Sequence, residues 1–345
     1  MNSTPSTSLS QDSRQTAALD PNLVIGLVNN MPDAALQTTE LQFSEILCAA
    51  SHNSVRLKCF SLPELPRSDV GRALVSEHYE DIGALWTSHL DGLIVTGTEP
   101  RAPALVDEPY WPALTKLVDW ADECAIPTIW SCLAAHAAVL HLDGIKRRPF
   151  REKLSGVFEC TKAADHAIVA GTPSSWQVPH SRFNEVPEDA LASSGYCILS
   201  RLHGAGADVF VKQKRSLFLF VQGHLEYDSR ALFREYRRDI KRFLSGERDS
   251  YPEMPYGYFN EDAAAALIAF RRMALESRSV DLLFQFPALM AQRTLSHTWR
   301  EPAVRIYSNW LSCVSEHKSQ KYSSIDSTVL ARLAPCEDTG DRRSS

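Results

Sequence analysis

The sequence predicts an α/β fold: a mainly parallel sheet flanked by helices, with an antiparallel extension and extra helices near the C-terminus. Three observations carry this. Over residues 23–139, short apolar runs alternate with segments of helical periodicity, the pattern of strand–helix–strand units closing into a parallel sheet. Over 150–219, brief β-type runs are separated by turn residues, which suits antiparallel pairing. Over 261–291 the chain is rich in Ala, Leu and Arg and reads as helix.

In chain order, residues 1–20 are polar and Ser/Thr-rich and are expected to be a disordered tail. Residues 23–28 form the first strand. The turn Asn29-Asn30-Met31-Pro32-Asp33 leads to a helix over 34–50, whose spacing puts Leu36, Leu41, Phe43, Ile46 and Leu47 on one face. A second strand follows at 55–60, then a Pro-rich loop and a helix near 79–85. Residues 90–97 form a third strand ending in Thr96-Gly97. Beyond the loop 98–109, a helix over 110–124 precedes the apolar run that ends at Cys132. Short strands are expected at 157–159, 168–169, 176–178, 197–199 and 209–211. Another buried strand leads to His224, and a charged amphipathic helix covers 229–246. The main domain is placed at 21–314, with 261–297 as a helical insertion, a helix at 299–313 and a flexible tail at 315–345.

The chain has 345 residues, 44% of them hydrophobic, enough to bury one large core or two smaller ones. A net charge of −6 with scattered Lys and Arg leaves no electrostatic footprint for nucleic acid. No apolar run approaches the ~18 residues needed to span a bilayer, and the start lacks a signal peptide's basic and apolar regions. The eight cysteines are spread without a C-x-x-C pair, so neither a metal site nor a disulfide framework is expected. A soluble, cytoplasmic protein without resident cofactor is the expectation.

Ile129-Trp130-Ser131-Cys132-Leu133-Ala134-Ala135 passes from strand character to helix character at Cys132. A thiol there points out of the sheet and lies near the unpaired N–H groups of a helix N-terminus, which favour a thiolate and a developing oxyanion. The backbone N–H groups of Cys132 and Leu133 are the candidate oxyanion donors. Gly223-His224-Leu225-Glu226 follows another buried strand. Two residues apart on a strand, His224 and Glu226 would face one way. Nucleophile, base and orienting acid are the parts of a covalent acyl-transfer site. His136 is the only local rival base.

Together with Val28-Asn29-Asn30-Met31-Pro32, Asp91-Gly92-Leu93-Ile94-Val95-Thr96-Gly97, Tyr110-Trp111-Pro112, Glu152-Lys153-Leu154-Ser155-Gly156-Val157, Pro179-His180-Ser181-Arg182, Gly223-His224-Leu225-Glu226-Tyr227-Asp228, Pro255-Tyr256-Gly257-Tyr258-Phe259 and Ser308-Asn309-Trp310-Leu311, the chain resembles the homoserine O-succinyltransferase family of the class I glutamine-amidotransferase-like (flavodoxin-like) superfamily. The resemblance implies that Cys132 carries an acyl-thioester, His224 moves the proton and Glu226 completes the triad. It places Lys153, Ser181 and Arg238 at substrate-binding positions, with acyl-CoA as co-substrate and L-homoserine as acceptor, in methionine biosynthesis. Arg101 falls at or near the family's acyl-donor position, where a small residue or a Glu is usual. A cation there would pair with a succinyl carboxylate, which favours succinyl-CoA. The alternatives are acetyl transfer to homoserine or serine, a glutaminase, and a non-catalytic binding homologue. A glutaminase's nucleophile turn normally has glycines around the cysteine, and Ser131-Cys132-Leu133-Ala134 has none. The segment 261–297 looks inserted relative to the family, with a lid or a dimer contact as candidate roles. The oligomeric state, a homodimer included, is left open.

Overall fold

A computed structural model describes residues 22–51, 54–292 and 295–333. The first half runs β1 (Leu23–Val28), α1 (Leu36–Ala50), β2 (Val55–Phe60), α2 (Asp69–His78), α3 (Ile82–Leu85), β3 (Gly92–Val95), α4 (Trp111–Glu123), β4 (Thr128–Ser131) and α5 (Leu133–Asp143). The middle holds β5 (Arg148–Lys162), β6 (Ser175–Glu185), α6 (Glu188–Ser193), β7 (Cys197–Ile198), β8 (Ser200–Leu202), β9 (Gly206–Ala207), β10 (Val209–Gln213) and β11 (Leu217–Val221). Helices α7 (Ala231–Leu244), α8 (Glu261–Glu276), α9 (Ala288–Gln292) and α10 (Arg300–Leu333) close the chain.

The main sheet has seven strands in the order β2-β1-β3-β4-β11-β10-β7. The first five are mutually parallel, and β10 and β7 extend the sheet antiparallel. Its inner strands β1, β3, β4 and β11 are buried on both faces, which is why they read as near-continuous apolar runs. The pleat divides them. Trp130, Phe218 and Phe220 enter one core with α4 and α5, while Ile129, Leu219 and Val221 enter another with α1 and α10. Burying each such side chain stabilises the fold by roughly 1.5–3 kcal/mol.

The expected antiparallel extension is therefore real, but only part of the middle section belongs to it. Strands β6-β5-β8-β9 form a separate four-stranded sheet. Long β5 and β6 replace the short runs expected there, and Ile168 and Val169 lie in a 3-10 turn. On α1, Leu36, Phe43, Ile46 and Leu47 are buried as expected, but Leu41 is 62% exposed. Helix α10 runs through 315–333, where a flexible tail was expected. There Lys318 Nζ bonds Asn22 O and Asp91 Oδ2, pinning the helix to the strand edge. Residues 1–20 and 334–345 lie outside the described residues. The segment 261–297 places Leu267, Phe270, Phe286 and Ala291 in a third core against Phe233, Tyr236 and Ile240 of α7. No helix among the described residues is long and apolar enough to cross a membrane.

Candidate active site

β4 and β11 are parallel neighbours with Ser131 opposite Val221, so the residues just beyond each strand emerge together at the carboxyl edge of the sheet. Open α/β sheets bind ligands there. Cys132 is the single residue between β4 and α5, and it takes φ 53 and ψ −116. A positive φ on a side-chain-bearing residue costs on the order of 1–3 kcal/mol and must be held by its surroundings. Here the Cys132 N–H donates to Val221 O at 2.7 Å, while Ala135 and His136 N–H donate to Cys132 O. The sharp elbow places Cys132 in the lining of an open cleft.

His224, Glu226 and Tyr227 lie beyond β11 in a turn, so the strand pleat is not what aligns His224 with Glu226. The turn is fixed from below. Gly223 N–H donates to Asp208 Oδ1 at 3.0 Å, and His224 N–H donates to Pro179 O at 2.8 Å. His224 Nδ1 meets Glu226 Oε1 at 2.8 Å, and Tyr227 stacks on the imidazole with centroids 4.1 Å apart. Cys132 lines the same cleft as this ring and acts on its charge. Burial opposes charge on His224, but the Glu226 carboxylate and Cys132 outweigh it and hold the imidazole well above its ordinary value. His136, the local rival, lines the cleft but bonds Gln222 Oε1 at 2.9 Å. Burial, with Arg182 and Arg147 nearby, pushes it down to about 3, so it is neutral.

Lys153, Ser181 and Arg238 all line this cleft. Lys153 sits in the irregular stretch of β5 where its pairing with β6 shifts register, and such a bulge re-aims a side chain. Its Nζ lies 3.3 Å from both Glu235 and Asp239. Ser181 and Tyr227 hydroxyls both donate to Glu235. Burial opposes charge on Glu235, but Lys153 and these hydroxyls bring its carboxyl down to about 2. Arg238 pairs with Asp239 at 2.9 Å, yet 38% of its side chain stays exposed. Glu235 is a site residue that sequence reasoning missed. The signal was available, since Glu235, Arg238 and Asp239 stand at i, i+3 and i+4 on α7 and share one face.

Two expectations need correcting. The Cys132 N–H is used by Val221 O, so it is not a free oxyanion donor. The Leu133 N–H has no acceptor among the described residues. Gly97 packs directly against it, and a Cβ at 97 would come within 2.8 Å of the Leu133 nitrogen. Arg101 does not line the cleft at Cys132. It lines a neighbouring one with Arg67 and Arg242, where its N–H donates to Glu108.

Beneath the site, ligand atoms of Cys160, His180 and Asp208 lie within 4.8 Å of one another, fully buried. His180 Nδ1 accepts from Arg182 Nε at 3.2 Å, which puts the ring proton on Nε2, facing Asp208 at 3.5 Å. With a guanidinium against the ring, the cluster reads as a hydrogen-bonded support for the Gly223-His224 turn rather than a cation cradle.

A thiol, an imidazole and a carboxylate gathered at a parallel sheet edge are the parts from which covalent acyl-transfer sites are built. The comparisons narrow the class. A family profile described as homoserine O-succinyltransferase matches residues 5–320. Homoserine O-succinyltransferase of Methylorubrum extorquens is 48% identical, over 85% of this chain and 88% of its own length. That of Rhodopseudomonas palustris is 49% identical, over 83% and 86%. The chain belongs to the homoserine O-succinyltransferase family. Among solved structures, a glutamine amidotransferase from Methylobacillus flagellatus is 14% identical, covering 85% of this chain and 95% of its own, with a TM-score of 0.49.

Proposed function

We propose that the protein transfers a succinyl group from succinyl-CoA to the hydroxyl of L-homoserine through an acyl-thioester on Cys132. The observation that carries this reading is the continuous line from Cys132 through His224 to Glu226 at the floor of one cleft. The proton held on His224 leaves the Cys132 sulfur as the nucleophile. Sulfur attacks the thioester carbonyl, the bond to the CoA sulfur breaks, and His224 gives its proton to that leaving thiolate. The homoserine hydroxyl then enters, His224 takes its proton, and the oxygen attacks the acyl-enzyme. The bond to Cys132 breaks and the product ester leaves. Glu226 holds the imidazole and its charge throughout.

Arg238, with part of its guanidinium free, suits the amino acid's carboxylate, and a forked pair would fix its orientation. Lys153 and Ser181 are held on Glu235 at the same wall. The Leu133 N–H, at the start of α5, suits the oxyanion. Intact-mass measurement after mixing with succinyl-CoA tests the reading. A succinyl adduct on Cys132 that L-homoserine discharges supports it. An adduct elsewhere, or full turnover in Cys132→Ala, defeats it.

A further inference from the structure

Two carboxylates must enter this cleft under the proposed reaction, one on the acceptor amino acid and one at the far end of the succinyl group. Four permanently cationic side chains line it: Arg147, Lys153, Arg182 and Arg238. Lys153 is committed to Glu235 and Asp239. Arg182 is spent on protein acceptors, its three nitrogens reaching His180, Asn184 O, Gln222 and Ala205 O. Arg238 is half-committed to Asp239, with the remainder open to the acceptor. Arg147 is different. It reaches the cleft from the segment between α5 and β5, and no carboxylate among the described residues comes within ion-pair distance of it.

We infer that Arg147 is the donor-specificity residue, its guanidinium receiving the terminal carboxylate of the succinyl group while the thioester carbonyl is at Cys132. This rests on the reading of the site given above. The terminal carboxyl carbon of a succinyl group stands roughly 4 Å from its thioester carbonyl by ordinary C–C lengths, so its partner must be close to the nucleophile without touching it. Arg147 lines the same cleft as Cys132 and His224 and is half-buried there. Around it are Tyr110, whose hydroxyl has no partner, neutral His136, and Glu108, whose Oε1 is occupied by the N–H groups of Arg101 and Ala102. Partial burial makes a carboxylate pair here stronger than one on the surface. Arg101 is the weaker candidate because its side chain belongs to the neighbouring cleft.

The test compares succinyl-CoA with butyryl-CoA, the uncharged ester of equal chain length, in the full-length protein and in Arg147→Met, Arg147→Lys and Arg101→Met. Arg147→Met should lower the succinyl-to-butyryl ratio of kcat/KM by about 10- to 100-fold, the usual worth of a hydrogen bond to a charged group. The KM for homoserine should stay put. Arg147→Lys should recover part of the ratio, since it keeps charge but loses the fork. Equal loss with both esters, no loss, or a selective loss in Arg101→Met instead would overturn the inference. Should Arg147→Met not fold, Arg147→Lys with an unchanged ratio does the same. Failure of the unmodified protein to acylate Cys132 with either ester rejects the reading of the site itself, and this inference with it.

Discussion

His224 Nδ1 lies 2.8 Å from Glu226 Oε1, and that contact decides which ring nitrogen is left for Cys132. With Nδ1–H held by the carboxylate, Nε2 is the nitrogen left for the thiol. In Glu226→Gln the neutral amide keeps much of the shape but removes the charge that offsets burial. The sign follows from the direction of the shift: His224 stays protonated as pH rises through neutrality in the native protein, losing its proton only at the raised value. In Glu226→Gln it should lose the proton at lower pH, because burial then dominates. We expect acyl transfer to fall on the order of 10²- to 10⁴-fold. Titration of His224 by NMR checks the cause, and an unchanged midpoint would remove Glu226 from the role.

Gly97→Ala addresses the oxyanion side. The added methyl would sit 2.8 Å from both Leu133 N and Leu133 Cβ, so the elbow or the loop must yield. The chemical step should slow by roughly 10²- to 10³-fold, the usual cost of losing one oxyanion donor. Cys132 should still be alkylated by iodoacetamide at near-normal rates, because the thiol and His224 are untouched. Equal loss of alkylation would instead indicate a disturbed elbow.

Alternation of apolar and helical segments was enough for the parallel sheet, and adjacency of β4 and β11 follows from their carboxyl-edge turns carrying complementary chemistry. The separate sheet of β6-β5-β8-β9 was not legible, since local β-type runs do not say which strands they pair with. The His224–Glu226 contact was anticipated for a reason that proved inapplicable, as a turn and not a strand sets it. The availability of the Cys132 N–H and the reach of Arg101 and Arg147 depend on long-range placement, which no local spacing encodes. Glu235 was readable from helix periodicity alone.

The segment 261–297 is tied at its far end to the turn that carries His224. His297 Nε2 and the Trp299 indole N–H both donate to Tyr227 O, at 3.1 and 2.8 Å, and Tyr227 stacks on His224. Trp299→Phe removes one of the two donors from a buried carbonyl and trims a buried ring. A stability loss of about 1–3 kcal/mol is expected by chemical denaturation. Activity should fall by less than about 10-fold, because His297 still bonds the carbonyl. Loss of activity without loss of stability would instead point to a direct part in the reaction.

Glu235 supplies a pH prediction of the opposite sign from His224. Its carboxyl sits at about 2 in the folded chain, against ~4.3 for a free glutamate. A depressed acid contributes stability that is present above the unfolded value and is lost as pH falls through the folded one. The window is therefore about pH 4.5 down to pH 2. The gap corresponds to on the order of 3 kcal/mol, with 17% of the side chain exposed, so little screening discount applies. In Glu235→Gln one of the two hydroxyls can still donate to the amide oxygen, the other can turn to accept from the amide NH2, and Lys153 keeps Asp239, so the variant should fold. Its deficit relative to the native protein should be largest near pH 7 and should shrink steadily below pH 4.5. Urea denaturation at a series of pH values from 7 to 3 measures this, and a deficit that stays constant across that range would mean the Glu235 charge is not what holds Lys153 and the hydroxyls in place.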